Sequence, residues 1–135
     1  MSNADASRRS WVSSAQGSGF PIQSLPYGVF STGDEPARMG VAIGGEILDL
    51  AAVAAAGLLE DACPGAEEVF GAGRLNDFLA RGRSTWQATR RRLSDLLAED
   101  ATPPPAVADA LVPRDSATLH LPFEVADYVD FYSSL

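Results

Sequence analysis

The sequence predicts a small α+β domain, mainly β, in which short strands come first and helices follow. A segment of alternating apolar positions at residues 38–43 precedes a Gly-Gly pair at residues 44–45, which is a strong signal for a tight β-hairpin. Alanine- and leucine-rich segments with helical spacing then follow residue 50. The 135 residues, 46% of them hydrophobic, can bury one core but not two. We therefore expect one domain with a partly closed barrel of short, glycine-punctuated strands and two or three helices.

Three strands are predicted in the first half of the chain. Tyr27–Ser31 is rich in aromatic and β-branched residues, and Arg38–Ile43 alternates apolar and polar positions. The hairpin at residues 44–45 leads into a return strand at residues 46–50. These segments predict an antiparallel three-stranded meander. A further short strand is predicted at residues 118–122, which read Thr-Leu-His-Leu-Pro.

The first helix is predicted at residues 51–59, where alanine density is high. Asp49 has a side chain suited to cap its amino terminus, and Gly57 favours its end. Residues 63–73 contain proline and several glycines, so we expect a loop there, with Val69 and Phe70 as a buried pair.

Two more helices are predicted in the next part of the chain. Asn76 is suited to cap the first of them, and Gly82 indicates that a second, longer helix over residues 84–99 is separate. The arginine triplet at residues 90–92 lies on this longer helix. Since acidic residues follow the triplet closely, we interpret it as a solvated helix face.

Charge and cysteine content exclude several classes of function. A net charge of −8, with ten arginines and no lysine, argues against binding to nucleic acid or to an anionic membrane. The apolar run at residues 47–59 is too short and too weakly apolar to span a bilayer. A single Cys63 forms no internal disulfide and lacks nearby positive charge, so we expect an inert thiol in a reducing cytoplasm. His120, in an apolar strand, is predicted to be a hydrogen-bonded structural imidazole.

The chain divides into three parts. Residues 1–19 are predicted to be a flexible lead-in in which Trp11 is the only anchor, and residues 2–4 resemble the remnant of an expression tag. Residues 20–122 form the predicted domain. Residues 123–135 are predicted to be the start of a linker or strand that leads into a domain outside this chain.

The carboxy-terminal residues combine carboxylates with phenolic side chains. In an extended segment, Asp130 and Tyr132 point to the same face, because strand side chains alternate with period two. A hard cation such as Mg²⁺ or Ca²⁺ requires several oxygen ligands, and one carboxylate is too few. The residues alone leave two interpretations open, a solvated strand end and one part of a metal site.

Several ordered segments resemble the fumarylacetoacetase family, the enzymes of the last step of tyrosine breakdown. These are FPIQSLPYGVFS at residues 20–31, GVAIG at 40–44, ILDL at 47–50, LNDF at 75–78 and DYVDFYSS at 127–134. The resemblance implies an amino-terminal domain with an SH3-like β-barrel, followed in the full-length enzyme by a larger, β-rich catalytic domain.

The same resemblance implies roles for two residues. It makes Asp130 a ligand of a divalent cation, Mg²⁺ or Ca²⁺, and Tyr132 a contact to the substrate. The family continues after the two serines with a basic residue and the histidine that acts as general base, whereas this sequence has Leu135 and stops. We therefore expect no catalytic residue in this chain, and His120 does not inherit the role of that histidine. We also expect no tightly bound cation.

The resemblance thus implies a parent enzyme that hydrolyses the carbon–carbon bond of fumarylacetoacetate to fumarate and acetoacetate. Its implied partners are the carboxy-terminal catalytic domain of the same protein and a small diketo acid substrate, and the full-length enzyme is expected to be a homodimer. The isolated chain is expected to be inactive. Two alternatives stay open: a stand-alone SH3-like binding or regulatory module, and a related hydrolase, decarboxylase or isomerase acting on another oxo acid.

Overall fold

The computed structural model describes residues 9–15, 22 and 24–121. The elements of this part of the chain are five strands, five α-helices and two short 3₁₀ turns. The strands are β1 (Tyr27–Ser31), β2 (Arg38–Ile43), β3 (Glu46–Asp49), β4 (Leu111–Pro113) and β5 (Thr118–Leu121). The helices are α1 (Leu50–Ala55), α2 (Ala66–Phe70), α3 (Asn76–Ala80), α4 (Arg83–Leu97) and α5 (Pro105–Asp109). The 3₁₀ turns are Ser13–Ala15 and Arg114–Ser116.

The five strands form one antiparallel sheet in the order β4-β3-β2-β1-β5. The predicted meander is confirmed as β1, β2 and β3, and the predicted strand at residues 118–122 is confirmed as β5. Gly44 has a φ of +59°, the left-handed conformation that a tight hairpin favours in glycine. The sequence reasoning missed β4, because a three-residue strand ending in a proline has too little alternation to be recognised.

The sheet is curled into a half-barrel. Its two edge strands, β4 and β5, are joined only by residues 114–117, so the first and last strands of the sheet lie near each other. The inner face carries a small buried cluster of Phe30, Ala42 and Ile47. A Cβ atom on Gly40 would lie 2.6 Å from Ile47 Cγ2. Glycine at this position therefore permits the close approach of the Ile47 and Phe30 side chains. The predicted partly closed barrel corresponds to this half-barrel.

The helices cover the other face of the sheet and form the main core with it. Aromatic contacts mark the junction: the rings of Tyr27 and Phe78 have centroids 4.9 Å apart, and those of Phe70 and Phe78 are 5.4 Å apart. Leu93 and Leu97 of α4 are fully buried in the same cluster. The core therefore lies between one face of the sheet and a layer of helices.

The helical content differs from the expectation. The described residues contain five α-helices where two or three were predicted, and more residues are helical than extended, so the domain is mixed α/β and not mainly β. Helix α2 occupies part of the predicted loop at residues 63–73. Its buried residues Ala66, Val69 and Phe70 have the i, i+3, i+4 spacing of a helix, but the surrounding proline and glycines conceal it. The predicted burial of Val69 and Phe70 is confirmed.

Two predicted helix boundary residues, Asp49 and Gly82, have their predicted roles. Asp49 caps α1 as predicted, with its Oδ1 accepting a hydrogen bond from the backbone N–H of Ala52 at 3.2 Å. Gly82 separates α3 from α4, also as predicted. The assignment of Asn76 as a cap is wrong, because Asn76 is the first residue of α3 and Leu75 occupies the cap position.

The described part of the predicted lead-in, residues 9–15, packs against the domain. The indole N–H of Trp11 donates to the carbonyl of Leu96 at 2.9 Å, and Ser10 forms a β-bridge with Ala98. Val12 and Ala15 are buried in the main core. Trp11 is therefore an anchor, as predicted, but this segment belongs to the packed structure, in contrast to the flexible lead-in that its composition suggested.

Candidate functional site

The two residues with predicted site roles, Asp130 and Tyr132, lie outside the described residues. The structure does describe β5, the strand that precedes them in the chain. Leu121, at the end of β5, pairs with Val29 of β1. The last described residue before them, Leu121, therefore lies at the edge of the sheet next to β1.

A β-bulge shapes this edge. Val29 pairs with Leu121, whereas the next residue of β1, Phe30, pairs with Leu119, so His120 is the extra residue on β5. A bulge turns a side chain away from the regular alternation. The His120 Nε2 and Ser31 Oγ atoms lie 2.8 Å apart in a hydrogen bond. The predicted hydrogen-bonded imidazole is therefore confirmed, although the side chain is exposed at the edge.

A largely buried ion pair joins the first residue of β2 to the last residue of β3. Arg38 Nε donates to Asp49 Oδ2 at 2.9 Å, and both side chains are only 12% exposed. The guanidinium of Arg38 also lies over the ring of Phe30, 4.5 Å from its centroid, and donates to the carbonyl of Pro36. Since every one of these contacts is made within the domain, we interpret Arg38 as a structural residue that fixes the β1–β2 loop to the start of α1.

The described residues do not assemble a metal site. No group of three or more His, Cys, Asp and Glu residues lies close enough together to hold an ion in residues 9–15, 22 and 24–121. A hard divalent cation needs several oxygen ligands. The described part of the domain alone therefore does not fit the cation that the family resemblance implies.

Comparisons with known proteins agree on one family. A family model described as "Fumarylacetoacetase N-terminal" matches residues 23–122. The chain is 45% identical over 136 residues to a fumarylacetoacetase of Caenorhabditis elegans and 42% identical over 138 residues to one of Oryza sativa subsp. japonica, with 94% of this chain covered in each. The human fumarylacetoacetase is 39% identical over 138 residues and covers 93% of the chain.

The chain belongs to the fumarylacetoacetase family. The resemblance found in the sequence is thus confirmed, and the matched region coincides with the half-barrel and its helices. The chain spans about 31% of the length of these fumarylacetoacetases. The remaining length of the relatives is consistent with a separate carboxy-terminal domain.

Within this fumarylacetoacetase domain, the arginine triplet is not simply a solvated face. Arg90 donates to the carbonyl of Ser24 and lies 5.7 Å from the ring centroid of Tyr27. Arg92 is exposed, but its Nε donates to the carbonyl of Leu58 at 3.0 Å, and Arg91 is exposed. Two of the three arginines therefore attach α4 to neighbouring loops. The sequence pattern missed this because their partners are backbone carbonyls, which no side-chain pattern reveals.

Cys63 is buried and forms no disulfide. Burial raises the pKa of its thiol, while the charge of Arg81 lowers that pKa and the charge of Glu60 raises it to a smaller extent. A thiol with a raised pKa carries less thiolate at neutral pH, and the thiolate is the reactive form. The prediction of an inert cysteine is therefore supported in this fumarylacetoacetase domain, but its stated reason is wrong, because Arg81 does place a positive charge near the thiol and burial outweighs it. Among its described helices, none has both the length and the apolar character needed to cross a membrane.

Proposed function

We propose that this chain is the amino-terminal domain of an enzyme that hydrolyses the carbon–carbon bond of fumarylacetoacetate to give fumarate and acetoacetate. The observation that carries the proposal is the match of 93–94% of the chain to proteins named fumarylacetoacetase at 39–45% identity. These matches extend over 93–94% of the chain and every one of these relatives is named fumarylacetoacetase, which favours this reaction over that of another oxo-acid hydrolase or isomerase.

In this proposal, Asp130 supplies one ligand to a divalent cation, Mg²⁺ or Ca²⁺, and Tyr132 contacts the substrate. A bound cation of this kind polarises carbonyl oxygens and stabilises the negative charge of a departing enolate. The described residues offer no further cluster of ligands. We propose that the other ligands and the general base come from a part of the protein outside this chain, so that the isolated chain is inactive and binds no cation tightly.

The described domain has a supporting part in this proposal. It holds β5 against β1, and the hydrogen bond between Ser31 and His120 fixes the end of the strand that leads toward Asp130. We further propose that the half-barrel is SH3-like. Five short strands, with a single 3₁₀ turn between the two edge strands, support that assignment. The proposed full-length enzyme is a cytoplasmic homodimer, and the buried, unbridged Cys63 is compatible with a reducing compartment.

The proposal is tested by comparing the full-length polypeptide with this chain. Purified samples of both are mixed with fumarylacetoacetate and either Mg²⁺ or Ca²⁺, and loss of the diketo acid is followed by its absorbance. We expect turnover by the full-length protein that EDTA abolishes, and none by the 135-residue chain. Turnover by the chain alone would refute the proposal that the catalytic groups lie outside it. A full-length protein that is inert toward fumarylacetoacetate but active on another oxo acid would refute the assigned reaction.

A reading frame that stops after Leu135 would instead favour the stand-alone module. Such a module would not be joined to a catalytic domain on the same polypeptide. The nucleotide sequence downstream of this chain therefore separates that alternative from the enzyme before any assay is run.

A further inference from the structure

Leu25 has a backbone conformation that leucine rarely adopts. Its φ is +42°, in the left-handed region, and among residues 9–15, 22 and 24–121 it is the one residue other than glycine with a positive φ. In this region the Cβ atom lies too close to the following carbonyl oxygen, so the conformation is unfavourable for a residue such as leucine. Leu25 also precedes Pro26, and a residue before proline favours the extended region. The turn that leads into β1 is therefore strained at Leu25.

Packing holds the residues on both sides of this strained position. The side chain of Leu25 is buried in the main core, and so is that of Ile22, three residues earlier. On the other side, the carbonyl of Pro26 accepts a hydrogen bond from the backbone N–H of Ala42 on β2 at 3.0 Å. The residue after Leu25 is thus fixed to the sheet, whereas the residues before it are held mainly by the burial of side chains.

Arg90 of α4 holds the residue immediately before Leu25. Its Nη1 donates to the carbonyl of Ser24, 66 positions away in the sequence, and its guanidinium lies 5.7 Å from the ring centroid of Tyr27. The Ser24 carbonyl belongs to the peptide group that rotates when φ of Leu25 changes. A change of Leu25 to a negative φ would turn this carbonyl away from Arg90. The strained conformation and the hydrogen bond therefore depend on each other.

We propose that Leu25 is a hinge and that Arg90 is its latch. In the latched state, the hydrogen bond to Ser24 and the burial of Leu25 and Ile22 outweigh the backbone strain. In the open state, Leu25 adopts the extended conformation favoured before proline, Ser24 leaves Arg90 and Ile22 leaves the core, while β1 and β2 stay paired. Because strain favours the open state, this local opening requires less free energy than unfolding of the sheet.

The strain is tested by a pair of substitutions at Leu25 and a matched pair at Thr102. Leu25→Gly and Leu25→Ala both remove the buried side chain, but only glycine is free of strain at a positive φ. Thr102 also precedes a proline, is exposed and has no positive φ. We expect Leu25→Gly to melt about 3 °C or more above Leu25→Ala. Thr102→Gly should melt below Thr102→Ala, because glycine makes the unfolded chain more flexible.

The opening is tested by thiol labelling of the 135-residue chain that carries Ile22→Cys. The proposed opening exposes the thiol at position 22, whereas the native, buried Cys63 is the reference for unfolding of the whole domain. Mass spectrometry after alkylation with iodoacetamide gives the rate at each position. We expect position 22 to react about tenfold or more faster than Cys63. Adding Arg90→Ala should accelerate position 22 by about a further tenfold, since a hydrogen bond from a charged group is lost, and adding Arg91→Ala should not.

Leu25→Gly melting below Leu25→Ala would show that Leu25 is not strained and would overturn the hinge. Equal labelling rates at the two thiols would show that position 22 is exposed only when the whole domain unfolds, which also overturns it. The latch is overturned if Arg90→Ala labels like Arg91→Ala, or if Arg90→Ala accelerates both thiols equally. Where neither Leu25 variant folds, the labelling rates decide on their own.

Discussion

The carboxylate of Asp49 binds Arg38 and caps α1 at the same time. Its Oδ2 accepts a hydrogen bond from Arg38 Nε at 2.9 Å, and its Oδ1 accepts one from the backbone N–H of Ala52 at 3.2 Å. Through Arg38 the same carboxylate is linked to the loop between β1 and β2, where Arg38 contacts Thr32 and Pro36. One side chain thus connects the strand-to-helix transition with a loop distant from it in sequence.

Asp49→Ala is predicted to lower the free energy of unfolding by about 3 kcal/mol or more, since it leaves Arg38 without its charge partner in a largely buried position and removes a helix cap. Asp49→Ser retains a capping oxygen but not the charge, so its effect should be smaller. Asp34→Ala, at an exposed turn position, is the control. Urea unfolding measures the free energy of unfolding of all three variants. Unfolding of Asp49→Ala at the same urea concentration as Asp34→Ala would show that the Asp49 carboxylate does not stabilise the domain.

Gly44→Ala is predicted to destabilise the domain and to displace the segment around Trp11. Gly44 has a positive φ, and a Cβ there would overlap Ser14, whose Oγ accepts a hydrogen bond from the N–H of Gly45. Gly33→Ala is a close control, because Gly33 also has a positive φ but nothing within 4 Å of the added Cβ. Both variants carry the backbone strain, which costs about 1–3 kcal/mol.

The difference between the two glycine variants therefore isolates the close approach of the amino-terminal segment. We expect a lower melting temperature and a red-shifted tryptophan emission for Gly44→Ala only. Identical spectra for the two variants would show that the contact between Ser14 and the hairpin contributes nothing to the position of Trp11.

The stability of the domain is predicted to fall at alkaline pH partly because of Cys63. Burial raises the pKa of this thiol above its ordinary value of 9.0. The folded state therefore keeps the proton when the unfolded state begins to lose it, and this contribution to stability is complete below pH 9.0 and decreases above it. Cys63→Ala should show a shallower loss of stability between neutral pH and pH 10 in urea titrations. Parallel curves of stability against pH for wild type and variant would contradict a contribution of Cys63 to the alkaline loss of stability.

Arg90→Ala is predicted to lower the free energy of unfolding by about 1–2 kcal/mol, because it removes a hydrogen bond to the Ser24 carbonyl and a cation–π contact with Tyr27. Arg91→Ala changes the same charge at an exposed position, and we expect its effect to stay within about 0.5 kcal/mol. Thermal unfolding of both proteins provides the comparison. Equal effects of the two substitutions on stability would show that the triplet is the solvated helix face that the sequence suggested.

The parts of the fold that the sequence predicted well are those with strong local signals. The aromatic and β-branched residues of β1, the alternation in β2, the Gly-Gly hairpin, the Asp49 cap and the break at Gly82 all depend on neighbouring residues, and each of the elements they predict is observed. Helix α2 and strand β4 were missed because their formation depends on tertiary packing, which outweighs short, proline- and glycine-flanked sequence patterns.

The site was predictable only by resemblance. The bulge at His120, the ion pair between Arg38 and Asp49 and the carbonyl contacts of Arg90 join residues far apart in the sequence, and spacing alone does not indicate them. Asp130 and Tyr132 lie outside the described residues, so their roles stay predictions.

The most direct test of the account compares Asp130→Asn with Asp127→Asn in the full-length protein. The two carboxylates lie three positions apart in the same segment, and each substitution removes one negative charge. We predict that Asp130→Asn lowers kcat for fumarylacetoacetate by about 100-fold or more and weakens binding of Mg²⁺ or Ca²⁺ in calorimetry, since even residues that only support metal ligands cost 10–100-fold. Asp127→Asn should keep both near wild type. Equal activity and equal cation affinity in the two variants would contradict the assignment of Asp130.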